Sequence, residues 1–160
     1  MIMKLKDGEV ELELYSDIAP NHVERFKDLS KKGLYDGVVF HRVIDGFMAQ
    51  SGDVKFGNSN SKDFNLALAG TGSSDMPDLK SEFSDIPHDR GVLSAARSSD
   101  PNSANSQFFI CFQPAPHLDR QYTVFGKVIK GMELIDNIKK GEDPNGSVKS
   151  PDKIISLKLK

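Results

Sequence analysis

Apolar and polar positions alternate from the first residues of the chain. In MIMKLKDGEVELELY the alternation runs on both sides of Asp7-Gly8. It predicts a β-hairpin with a primed turn and one buried face carrying Val10, Leu12 and Leu14. The period then lengthens. APNHVERFKDLSKKG puts Pro20 in a first helical turn, Val23, Phe26 and Leu29 on one side, and Gly33 at the end, which predicts a helix. VVFHRV and FMAQSG read as two short strands joined by IDG. Residues 54–90 are rich in turn formers and predict a long loop, either functional or an excursion over the surface. GVLSAAR and QFFICF are apolar at successive positions, as in strands buried on both faces. YTVFGKVI predicts a further strand, MELIDNIKK a short helix with Leu134, Ile135 and Ile138 on one side, and KIISLKLK a closing strand that could pair with the first.

Many strands with one helix near each end predict a mainly β fold. An antiparallel barrel closes its edges and accounts for the even spacing; an open sheet with helices on one face is the rival arrangement. The 160 residues show no repeat and no linker, so one domain over 1–160 is expected. A net charge of -2 and a pI of about 6.1 leave no basic footprint for nucleic acid. Lysines gather only around Lys139–Lys140 and at the end of the chain, and read as a solvated face. No apolar run approaches the roughly 20 residues of a membrane helix, and MIMKLKDG turns charged at once, without a leader-like core. The lone cysteine, Cys111, permits no internal disulfide. Within QFFICF it reads as a buried, inert thiol, and a reducing cytoplasm fits best.

Metal chemistry finds no support in the sequence. His22, His41, His88 and His117 lie at no ligand spacing, and there is no cysteine cluster. Ser51 is not in a nucleophile elbow, the serines of RSSDPNSANSQ have no histidine base beside them, and Gly70-Thr71-Gly72 is too short for a phosphate loop. These read as turn residues. What remains is FHRVIDGFMAQSGD, a cation set among aromatic and thioether side chains with an amide close by. Arg42 cannot give up its proton, so its role is electrostatic. Strand alternation places Arg42 on the face of Phe40 and Ile44, Met48 with Gln50, and Phe109 with Gln107, while Phe47 points the other way unless a bulge intervenes. If those faces meet, they form an apolar floor ringed by a cation and amides. The alternative is a surface arginine paired with Asp45 or Asp53, with Phe47 and Phe109 as core.

FHRVIDGFMAQSGD, followed by SANSQFFICF and then HLDRQYTVFGKVIKGMELID, resembles the cyclophilins, the peptidyl-prolyl cis-trans isomerases, and the loop VKFGNSNSKDFNLALA resembles their bacterial branch. APNHVERFKDL and KIISLKL extend the resemblance nearly end to end. It implies a closed eight-stranded antiparallel barrel capped by two α-helices, and an enzyme without metal or cofactor. It implies as well that Arg42 is the catalytic arginine, that Phe47, Met48, Phe109 and Leu118 wall a proline pocket, and that Gln50 orients the arginine. Gln107 falls on a groove residue, and Ala96 and Arg97 fall where the family's backbone binds an extended peptide. Three positions depart from the family. His117 stands where tryptophan is frequent, which implies weaker cyclosporin binding. Tyr122 replaces a frequent histidine, and Arg97 an asparagine usual in eukaryotic members. The implied partners are proline-containing peptides and unfolded or folding proteins, with no nucleic acid or membrane, and the expected state is a monomer. A catalytically weak proline-peptide binding module or chaperone on the same barrel is the alternative.

Overall fold

The alternation at the start of the chain forms the expected hairpin. In the computed structural model, which describes residues 1–160, Ile2–Leu5 (β1) pairs antiparallel with Gly8–Leu14 (β2). Register follows burial: Met3 lies opposite Val10, and Met3, Leu5, Val10 and Leu12 all enter the core. This register pairs Leu5 with Gly8, so Lys6 and Asp7 form the turn, and neither has positive φ. The turn is therefore not the primed type that Asp7-Gly8 predicts; Gly8 instead opens the second strand.

Pro20–Lys31 forms α1, with the proline in its first turn. The helix stops where Gly33 adopts φ +71 and the Leu34 amide donates back to Leu29 O at 3.0 Å. Its apolar side is Val23, Phe26 and Leu29. The Phe26 ring lies 5.2 Å from Tyr35, 5.1 Å from Phe108 and 5.2 Å from Phe125, centroid to centroid. Burying a side chain of this size contributes about 1.5–3 kcal/mol, so the aromatic quartet is a main tie between α1 and the sheet.

The remaining elements are Arg42–Ile44 (β3), Met48–Ser51 (β4), Val92–Ala95 (β5), Phe108–Cys111 (β6), Val124–Lys130 (β7), Met132–Asp136 (α2) and Ser156–Lys158 (β8). The strands form one antiparallel eight-stranded sheet in the order β3-β4-β6-β5-β7-β2-β1-β8, curled into a half-barrel. As expected, β8 pairs with β1, and the central β5 and β6 are buried at every position. Ile135 and Ile138 enter the core beside α2, although the helix ends at Asp136. No regular element lies between Val54 and Arg90, and no helix is long and apolar enough to cross a membrane.

The sheet is not the closed barrel expected. β3 and β8 stand at the two ends of the strand order and share no ladder. Residues 141–148 occupy the free edge of β3: Gly141 N donates to Val43 O and Val43 N to Gly146 O, both at 2.8 Å. The two ends are tied one step earlier in the chain, where Gly37 N donates to Ile154 O at 2.7 Å, Ile154 N to Val38 O at 2.8 Å and Phe40 N to Asp152 O at 2.8 Å.

Two cross-strand rows separate the faces of the sheet. Val43, Ala49, Ile110 and Leu93 pair in sequence and belong to the main core. Their neighbours Arg42, Gln50, Phe109 and Ser94 pair in sequence on the opposite face. There Met48, Phe109, Cys111, Ala115 and Leu118 form a smaller apolar cluster.

Candidate active site

The second row brings the residues singled out in the sequence to one place. Arg42 on β3 lies opposite Gln50 on β4, and Gln50 opposite Phe109 on β6. Phe40 does not share this face. The chain is irregular at Phe40 and His41, so alternation breaks there, and Phe40 lies in the main core. Phe47 ends the turn before β4 and so escapes the alternation too. It joins Met48 in the wall of the same cavity.

A chain of hydrogen bonds links the polar groups. Arg42 Nη1 donates to Gln50 Oε1 at 3.2 Å, and Gln50 Nε2 donates to Gln107 Oε1 at 3.0 Å. Gln107 Nε2 donates to the carbonyls of Gly70 and Gly72, each at 2.9 Å. Arg42 Nε donates to Asn145 O at 2.9 Å. Of five guanidinium N–H groups, three have no protein acceptor, including both on Nη2. Neither Asp45 nor Asp53 pairs with Arg42, so the surface-pair alternative does not hold.

The cavity before Arg42 has a volume of about 730 Å³. Phe47, Met48, Ala96, Phe109, Leu118 and Tyr122 supply its apolar wall. A smaller polar cavity of about 310 Å³ adjoins it, sharing Gln50, Ala96 and Arg97 and containing Gln107. The arrangement offers a fixed cation with free donors beside an apolar wall, and two flanking amides. His117 sits apart from the others. It lies on a 3₁₀ turn, Pro116–Leu118, with its ring 5.5 Å from Phe47 and outside the cavity wall.

Sequence reasoning missed the supports. Asp53 is fully buried and accepts four backbone N–H groups: Lys55 at 3.0 Å, Phe56 at 2.9 Å, and Gly70 and Gly72 at 2.8 Å each. It thereby fixes the loop whose carbonyls receive Gln107. Gly70 takes φ +103, and a Cβ there would come within 3.1 Å of His41 Nε2. His88 is buried behind Phe109, stacked on it at 6.2 Å, and bonded to Asp119 Oδ1 at 3.0 Å and Ser94 Oγ at 2.9 Å. Asn145 lies 103 residues from Arg42, in a loop without periodicity. None of these carries a periodic signal in the sequence that would mark it as a support.

Burial sets the ionisation of the neighbours. It pushes His41 down to about 4, against the opposing pull of Asp53, and lowers His88 despite Asp119. It pushes the Cys111 thiol up to about 12, which fits the inert reading. No cluster of three or more His, Cys, Asp or Glu side chains is placed to hold a metal ion.

Residues 1–159 match the family model described as cyclophilin type peptidyl-prolyl cis-trans isomerase/CLD. A protein of Brucella suis called a probable peptidyl-prolyl cis-trans isomerase is 59% identical over 160 residues, covering 99% of this chain and 81% of the relative. A peptidyl-prolyl cis-trans isomerase of Acinetobacter baylyi is 38% identical over 169 residues, covering 99% and 84%. Among solved structures, a Cryptosporidium parvum cyclophilin type isomerase, crystallised in the presence of the dipeptide Ala-Pro, aligns with a TM-score of 0.79 at 28% identity, over 98% of this chain and 96% of that one. A cyclophilin of Hirschia baltica also reaches 0.79 at 28% identity, over 97% and 71%.

Proposed function

The chain belongs to the cyclophilin-type peptidyl-prolyl cis-trans isomerases, and from that premise we propose a non-covalent, electrostatic route centred on Arg42. Amide conjugation sets a rotation barrier of about 18–20 kcal/mol. Before proline the two isomers differ by only about 0.5–1 kcal/mol, yet exchange takes tens to hundreds of seconds. The barrier, and not the equilibrium, is what the enzyme must change.

At the twisted transition state conjugation is lost and the proline nitrogen regains its lone pair. It becomes an acceptor, and a guanidinium aimed at it binds the twisted state more strongly than either planar one. The observation that carries this reading is the free Nη2 of Arg42, held at the cavity by Gln50 and the Asn145 carbonyl. Phe47, Met48, Phe109 and Leu118 hold the proline ring, while Gln50, Gln107 and the backbone at Ala96 and Arg97 clamp the flanking peptide. Tyr122 closes the wall beside Arg97. No cofactor or metal takes part. The substrates are unfolded or folding proteins of the cytoplasm, and the enzyme acts as a monomeric single domain over 1–160. Cyclosporin binds weakly, because His117 stands where the family often has tryptophan and its ring lies against Phe47 without lining the cavity.

The test is exchange NMR of a short Ala-Pro peptide with wild type and Arg42→Ala. Preorganised donors of this kind contribute about a hundred- to a thousand-fold in rate, so the variant should lose that much with its fold intact. Equal rates would remove Arg42 from the mechanism. A folded wild type that binds the peptide without accelerating exchange would make the chain a binding module.

A further inference from the structure

The chain's five arginines divide by partner. Arg90 pairs with Asp136 and Arg120 with Asp85. Arg25 is buried under the carbonyls of Pro77 and Asn105. Arg42 and Arg97 are both half-buried, lack any carboxylate partner and line the main cavity. Lys149 is the third cation of that lining, and no Asp or Glu belongs to it, although acidic residues outnumber basic ones in the chain. Nearby acids are engaged or lie elsewhere. Glu142 is 3.7 Å from Lys149, Asp143 accepts from Ser147 N, and Asp78, in the wall of the smaller cavity, accepts from Asn105 Nδ2.

Arg97 is held in place before any ligand arrives. Nε and Nη2 donate to Gln121 O at 3.2 and 2.5 Å, and Nη1 donates to Ser98 O at 2.9 Å. The guanidinium lies over the Tyr122 ring, 4.4 Å from its centroid, and Tyr122 meets Phe109 edge-on at 5.8 Å. Three of five N–H groups are used. Two remain, on a charge whose side-chain entropy is already lost.

We propose that Arg97 selects substrates carrying an acidic side chain close to the proline. This rests on the isomerase reading and names its substrate class. β3 and β5 are three strand steps apart, roughly 14 Å at the usual spacing. An extended peptide with its proline at Arg42 therefore brings a residue within about four positions of that proline to Arg97.

The experiment compares Ala-Pro peptides bearing Glu, Gln or Lys at each flanking position in turn, by exchange NMR and by a parallel binding titration at low salt. At one position wild type should prefer Glu over Gln by roughly two- to fivefold, the range of a partly exposed ion pair. Arg97→Gln should abolish that ratio, Arg97→Glu should shift it toward Lys, and Lys149→Gln should keep it. Rates and affinities equal for all three peptides at every position would overturn the proposal, as would a Glu preference that survives Arg97→Glu. If no peptide is isomerised, the isomerase reading fails, and the titration still decides the charge selection.

Discussion

Arg42 is a residue whose neighbours leave it one task. Its Nε and one Nη1 hydrogen are bound by neutral oxygens, so the charge is steadied but not neutralised. Lysine would keep the charge and lose the fork that meets Asn145 and Gln50 together. Arg42→Lys should therefore be severely impaired, with a fall in kcat that KM does not share, because the proposed interaction is one made in the transition state. A normal kcat with a raised KM, in steady-state isomerisation of an Ala-Pro peptide, would mean that Arg42 serves binding alone. His117 gives a second prediction at this scale. His117→Trp should tighten cyclosporin, read by fluorescence anisotropy, by offering more aromatic surface and an indole N–H. Unchanged affinity would remove position 117 from the explanation.

At the scale of elements, the loop between β4 and β5 is the part that depends on one carboxylate. Asp53 accepts at both oxygens, two amides each. In Asp53→Asn an NH2 group must face one of those pairs, so two amides lose their acceptor against a buried side chain, at about 1–3 kcal/mol for a fully buried group and less where the amide is part-buried. Amide exchange at Gly70 and Gly72 should accelerate, and isomerisation should slow as Gln107 loses its fixed acceptors. Unaltered protection at both glycines would show that the loop stands without Asp53. The strands and helices were legible in the sequence because period two and period 3.6 are local signals. β1, β2, α1 and the buried β5 and β6 all fall where the pattern puts them. The Arg42–Gln50–Phe109 row was legible in part, since alternation fixes faces but not which faces meet. Asp53, Gly70, Gly72 and Asn145 were not legible as supports. Their bonds join segments far apart in sequence, and no periodicity marks a loop. Closure was misjudged for a similar reason, because nothing in KIISLKLK reveals that residues 141–148 take the edge of β3 first.

Across the whole molecule, buried imidazoles tie stability to acidity. His22, His41 and His88 are all held below the ordinary imidazole value, chiefly by burial, His41 at about 4. The unfolded chain binds protons at these groups more readily than the folded one. Their contribution is therefore fully present above about pH 6.5 and is lost as pH falls from there toward 4. His41 alone accounts for about 3 kcal/mol over that window. Urea midpoints should fall steadily between pH 7 and 5, and His41→Gln should flatten the slope; a constant midpoint would show that the histidines are neutralised some other way. The late-chain partners of β3 and β1 carry a different consequence, one of birth order. A ribosome making this chain delivers Arg42 early, yet its backbone neighbours Gly146 and Val148 and the Asn145 carbonyl arrive about a hundred residues later, and the β8 partner of β1 later still. A nascent chain stalled short of these residues leaves the edge of β3 uncovered and the Arg42 guanidinium with Gln50 but without the Asn145 carbonyl. The edge of β3 and the Asn145 anchor of Arg42 are thus completed only once residue 148 has left the exit tunnel, and the partner strand of β1 only once residue 158 has.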